Sequence, residues 1–113
     1  MIQGPKMSLK PALMGVLVVL TGLMSLSAKA ETIEIVMDNI AYAPTERSAA
    51  VGDTIKWVNK DIVAHTATAR NGDWNVVIAP GKTATLRLKN PGAVDYYCRF
   101  HPNMTGRLSI VPK

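Results

Sequence analysis

A single cysteine, two histidines and no cluster of basic residues limit what this 113-residue chain can do. With Cys98 alone, no internal disulfide can form, so the thiol must be buried, reactive, joined to another chain or bound to a metal. The basic residues are scattered without a run, so nucleic-acid binding has no footprint. No apolar stretch reaches the ~20 residues of a membrane-spanning helix; the longest, residues 12–26, falls short. No segment after residue 30 sustains a helical period, which leaves a β architecture.

What is present begins with an export signal. Lys6 and Lys10 precede the apolar run, and Ala28-Lys29-Ala30 follows it as a small-x-small sequence, the pattern of a secretory signal peptide. Residues 1–30 are read as that peptide, cleaved after Ala30, with no stable membrane insertion afterwards. Residues 31–113 are read as one domain. Loss of Lys6, Lys10 and Lys29 leaves ten Lys and Arg against eight Asp and Glu, so the net charge falls from +5 to +2. Such a mildly positive surface biases the approach of an acidic partner. A domain this small buries a limited core. A metal site formed only in the folded state would add stability.

The domain reads as short strands separated by turn signals. Residues 32–37 and 54–59 alternate and are β-rich, with Ile55, Trp57 and Asn59 on one face. Residues 40–44 form an irregular edge segment, because Pro44 cannot donate to a ladder. Residues 47–51 make a second strand, and residues 63–70 a fourth, with Val63, His65, Ala67 and Ala69 sharing a face. Residues 74–78 and 82–89 follow, and Asn90-Pro91-Gly92 is the strongest turn. Residues 93–98 end at the cysteine, the chain loops through His101 and Met104, and residues 107–111 close the domain. Seven or eight such strands at regular spacing predict an antiparallel sandwich or barrel.

The chemistry is concentrated in one run, Asp95-Tyr96-Tyr97-Cys98-Arg99-Phe100-His101-Pro102-Asn103-Met104-Thr105-Gly106. Thiol, imidazole and thioether recur as Cys-x2-His-x2-Met. Cys98 shares a strand face with Tyr96 and Val94, at the end of a row pointing to the core. His101 can turn back to the same point, Pro102 stiffens the turn, and Gly106 relieves crowding where the last strand begins. His65, on another strand, supplies a second nitrogen. Taken singly, a buried Cys, a structural His or a core Met is the commoner case. Together, Cys, two His and a weakly held Met form the donor set of a blue-copper site. Zinc also accepts Cys and His, though its structural sites rarely use Met.

These residues, with Val51-Gly52-Asp53-Thr54-Ile55-Lys56-Trp57-Val58-Asn59 upstream, resemble the cupredoxins, and among them the amicyanin-like proteins. The resemblance covers residues 31–113. It implies a Greek-key β-sandwich of about eight strands holding one type 1 copper. His65, Cys98 and His101 would be the ligands, with Met104 axial. It also implies a periplasmic location. The chain departs from the amicyanin pattern at Thr66, where those proteins carry Asn. It departs again at Arg99, where they carry a small residue. Both neighbours normally brace the ligand loop, so the hydrogen bonding around the sulfur is expected to differ.

The expected function is that of a soluble monomeric electron carrier, with redox partner proteins docking near His101. Copper storage or delivery would use the same four residues, and a metal-free binding module is a third reading. An enzyme is not expected, because both histidines are committed to the metal and no Ser-His-acid arrangement can be built without dismantling it.

Overall fold

The computed structural model describes residues 29–113, so all but the last two residues of the expected signal peptide lie outside the described range. Within that range, nine strands follow in order: β1 Thr32–Met37, β2 Tyr42–Ala43, β3 Glu46–Ala50, β4 Thr54–Asn59, β5 His65–Ala69, β6 Asn75–Ile78, β7 Thr83–Arg87, β8 Gly92–Cys98 and β9 His101–Val111. They form two sheets, ordered β2-β1-β4-β7 and β3-β9-β8-β5-β6. The fold is an all-β sandwich of two sheets, with the two-residue β2 as the strand beyond the expected eight. Among the described residues, no helix is long and apolar enough to cross a membrane.

Alternation dictates which face is buried. In β1, Ile33, Ile35 and Met37 point inward; in β4, Ile55, Trp57 and Asn59 do so. Val94, Tyr96 and Cys98 form the expected inward row of β8. Four rings meet at the centre. Trp57 lies 5.5 Å from Trp74 and 5.9 Å from Tyr96 between ring centroids, and Tyr96 lies 4.6 Å from Tyr42. The close fit depends on Gly106, because a Cβ there would stand 2.5 Å from Tyr96 Cζ.

Two expectations are corrected. The sheets are not wholly antiparallel, since β1 pairs parallel with β4 and β3 pairs parallel with β9. The chain leaves the first sheet for β3 and returns, so β4 enters beside β1 running the same way. Nor do His101 and Met104 lie on a free loop. Cys98 pairs with His101 across a two-residue turn while Tyr97 pairs with Thr105, so Pro102, Asn103 and Met104 form an irregularity inside the β8–β9 ladder. A strand of 11 residues is long, and β9 sustains it by pairing with both β8 and β3.

The start of β1 is fixed by a buried acid. Asp53 accepts hydrogen bonds from the Glu31 amide to Oδ1 and the Ala50 amide to Oδ2, both at 2.9 Å. The Glu31 amide, then that of Ala50, holds its carboxyl below the usual carboxylate range, with Lys113 and Arg47 adding favourable charge. Its stabilising effect is therefore complete above the ordinary carboxyl range and is lost as pH falls through its lowered folded value. Asp53→Asn should cost about 1–3 kcal/mol at neutral pH. The gap to the parent should narrow in acid, as read by urea unfolding under both conditions.

Candidate metal centre

Three neighbouring strands bring the candidate donors together. His65 opens β5, Cys98 ends β8 and His101 opens β9, and β8 lies between the other two in the sheet. The donor atoms of these three residues lie within 4.8 Å of one another. Cys98 Sγ stands 3.8 Å from His65 Nδ1 and 3.6 Å from His101 Nδ1. The imidazoles meet edge to face, 5.0 Å between centroids. His65 and Cys98 are fully buried, and His101 is partly exposed. Met104, from the β8–β9 irregularity, is also buried.

This donor set fits copper. One thiol, two imidazoles turned through the same ring nitrogen and a nearby thioether give three strong donors and one weak one. The buried wall and partly exposed His101 leave a single edge of the cluster facing outward. That edge forms an open groove lined by Ile40, Phe100, Pro102 and Asn103 with His101 and Met104. Phe100 and Ile40 are each about half exposed there.

The surroundings of the sulfur answer the question raised by Thr66 and Arg99. The Thr66 amide donates to Cys98 Sγ at 3.3 Å. Its hydroxyl accepts from the Arg99 amide at 2.8 Å, so threonine braces the turn that follows the cysteine. The brace continues through Thr68 Oγ1, 2.9 Å from Thr66 Oγ1, to Asn75 Oδ1, which also accepts from Arg99 Nε at 3.1 Å. Behind Thr66, the Tyr42 hydroxyl donates to the Thr66 carbonyl. Burial, then the nearby Cys98 charge, pushes the Tyr42 phenol up. Removing the hydroxyl with Thr66→Val leaves the Arg99 amide unpaired. It should weaken metal affinity by roughly 10–100-fold, the usual effect of losing such a support. Competition with a chelator measures it.

Two participants carried no clear signal in the sequence. Asn75 sits in a strand where polarity marks only an exposed face. Asp61, in the short polar stretch between β4 and β5, places Oδ2 2.7 Å from His65 Nε2. Its carboxyl is held down at about 2, by the His65 hydrogen bond first and the Ile40 amide next. By contrast, Asp95 pairs with Arg107 at 2.8 Å on the surface and takes no part.

Among known proteins, the chain matches the family described as a cupredoxin-like domain over residues 11–110. It is 23% identical over 87 residues to an amicyanin of Paracoccus versutus, covering 72% of this chain and 66% of that protein. An amicyanin of Paracoccus denitrificans shares 27% identity over 75 residues, covering 61% of this chain and 57% of the relative. The chain thus spans less than two thirds of the length of either relative. A purple cupredoxin from Nitrosopumilus maritimus superposes with a TM-score of 0.61 at 26% identity, covering 69% of this chain and 98% of that one. A reduced amicyanin variant does so with a TM-score of 0.61 at 25% identity, covering 70% and 81%.

Proposed function

From the premise that this chain belongs to the cupredoxin family, we propose that it is a soluble periplasmic electron carrier. In this reading His65, Cys98 and His101 would hold one type 1 copper, with Met104 as a fourth, weaker donor. The observation that carries the reading is the convergence of two imidazole Nδ1 atoms on one buried thiol. Copper bound there would supply a one-electron Cu(II)/Cu(I) couple. The protein's part is to hold the donors still, so that little rearranges between the two states. Cys98 binds as thiolate, its charge met by the Thr66 amide. The core on one side and the β8–β9 ladder on the other keep water from the sulfur.

His101 is the outward edge of the cluster and the point of electron entry and exit. Phe100, Pro102 and Ile40 give it a small apolar surround, of the kind that suits brief redox encounters. Arg99 lies beside Phe100, its Cζ 5.6 Å from the ring centroid, so an acidic partner surface is the natural complement. Both histidines of the chain are in this one cluster, which leaves no spare histidine for catalysis.

The test is the visible and electron paramagnetic resonance spectrum of the purified protein with Cu(II). An intense thiolate-to-copper band with a narrow parallel splitting is expected; an ordinary tetragonal signal would remove the assignment. Copper storage or delivery would use the same donors. Reversible voltammetry with fast self-exchange supports the carrier, whereas ready copper loss to an acceptor without reversible redox supports delivery.

A further inference from the structure

The loop between β4 and β5 contains a carboxylate with three partners from two directions. Asp61 Oδ1 accepts the Asn39 amide at 2.8 Å, and Oδ2 accepts the Ile40 amide at 2.9 Å. Oδ2 also stands 2.7 Å from His65 Nε2. Asn39 and Ile40 have φ of 55° and 56°, so two successive amides converge on one anion. A β-branched residue such as Ile40 enters that backbone region only at a cost, and the carboxylate is what faces it there. The loop itself is anchored. The Asp61 amide donates to Asn59 Oδ1 at 2.9 Å, while Asn59 Nδ2 donates to the Val63 carbonyl at 2.9 Å.

We propose that Asp61 is a positioning residue for electron transfer, its carboxylate joining the Asn39–Ile40 turn to His65, fixing that imidazole as the Nε2–H tautomer and favouring the oxidised metal. The inference rests on the assignment of His65 as a copper ligand. An ionised carboxylate only accepts hydrogen bonds, so the proton between the two must sit on Nε2. Nδ1 is then left with its lone pair, and Nδ1 is the nitrogen that faces the Cys98 sulfur. The ligating form is thus selected before any metal arrives. A carboxylate behind a metal-bound imidazole also makes it a stronger donor, which stabilises Cu(II) more than Cu(I). The same carboxylate holds Ile40 in the groove beside His101, so one side chain sets both a ligand and part of the rim.

The metal-free protein provides the first test. Long-range proton–nitrogen NMR, above the ordinary imidazole pH range, should show His65 as the Nε2–H tautomer. An Nδ1–H tautomer or an even mixture overturns the proposal, and this arm needs neither copper nor a variant. In the copper-loaded protein, Asp61→Asn keeps the shape and removes the charge. Its Cu(II)/Cu(I) equilibrium should move about tenfold toward Cu(I), a rise of ~59 mV for one electron. Asp61→Glu should restore the potential at least in part. A lowered melting temperature with an unchanged potential in Asp61→Asn would make Asp61 merely structural and overturn the proposal. A parent protein that shows the Nε2–H tautomer but no blue-copper spectrum would instead refute the ligand assignment, so the two failures are distinct.

Discussion

Cys98→Ala is expected to abolish the intense visible band of the copper-loaded protein, because that band requires a thiolate bound to Cu(II). The remaining donors, two imidazoles and a thioether, offer a weaker site with a tetragonal spectrum. The fold should survive, since alanine keeps the inward-facing β-carbon and loses only one buried atom. Metal-free stability is expected to fall by about 1 kcal/mol, the middle of the range for point changes. Copper titration followed by absorption and paramagnetic resonance makes the measurement, with thermal unfolding of the metal-free variant as the control. Persistence of the blue colour would mean that Cys98 is not the thiolate ligand.

The second large effect belongs to the core. Trp57 is fully buried between the sheets and packs on both Trp74 and Tyr96. Trp57→Ala should cost about 3–5 kcal/mol, a large part of the roughly 5–15 kcal/mol available to a domain. At about 4–8 °C per kcal/mol for a domain of this size, the melting temperature should drop by roughly 12–40 °C. The measurement belongs in the metal-free protein, because a ligand that binds only the folded state raises apparent stability by mass action. Trp57→Phe is the informative companion. Trp57 Nε1 is buried without a hydrogen-bond partner, so phenylalanine removes an unsatisfied donor along with some packing and should cost much less.

The sequence was most legible where local rules act alone. β1 and β4 begin and end where alternation and the flanking turns place them, because a half-buried strand has a period of two and nothing else competes there. The four candidate donors were legible for a similar reason: the residue types are scarce in this chain and three of them sit within seven positions. Pairing between distant strands was not. Whether β4 meets β1 parallel or antiparallel depends on the route of β3 through the other sheet, and no residue in either strand encodes that route. The start of β9 was read as a loop because Pro102 and Asn103 are turn formers. In the fold, the ladder resumes at Thr105, around a three-residue irregularity. Asp61 carried no signal because its role depends on two amides more than 20 positions earlier. Thr66 was visible as a departure, but the replacement of one bracing side chain by a hydroxyl network needs Asn75 and Arg99 in place.

The distance along the chain between His65 and Cys98 has a thermodynamic consequence. They are 33 positions apart and meet only in the folded state. A metal held by both would act as a staple, closing a loop that a lone thiol cannot close with a second cysteine. For a covalent bridge of that span, the chain-entropy estimate is about 3–4 kcal/mol. A small domain with one cysteine would thus gain from a bound metal the restraint that cystine supplies elsewhere. Loss of the ion would then loosen the chain as well as empty the site.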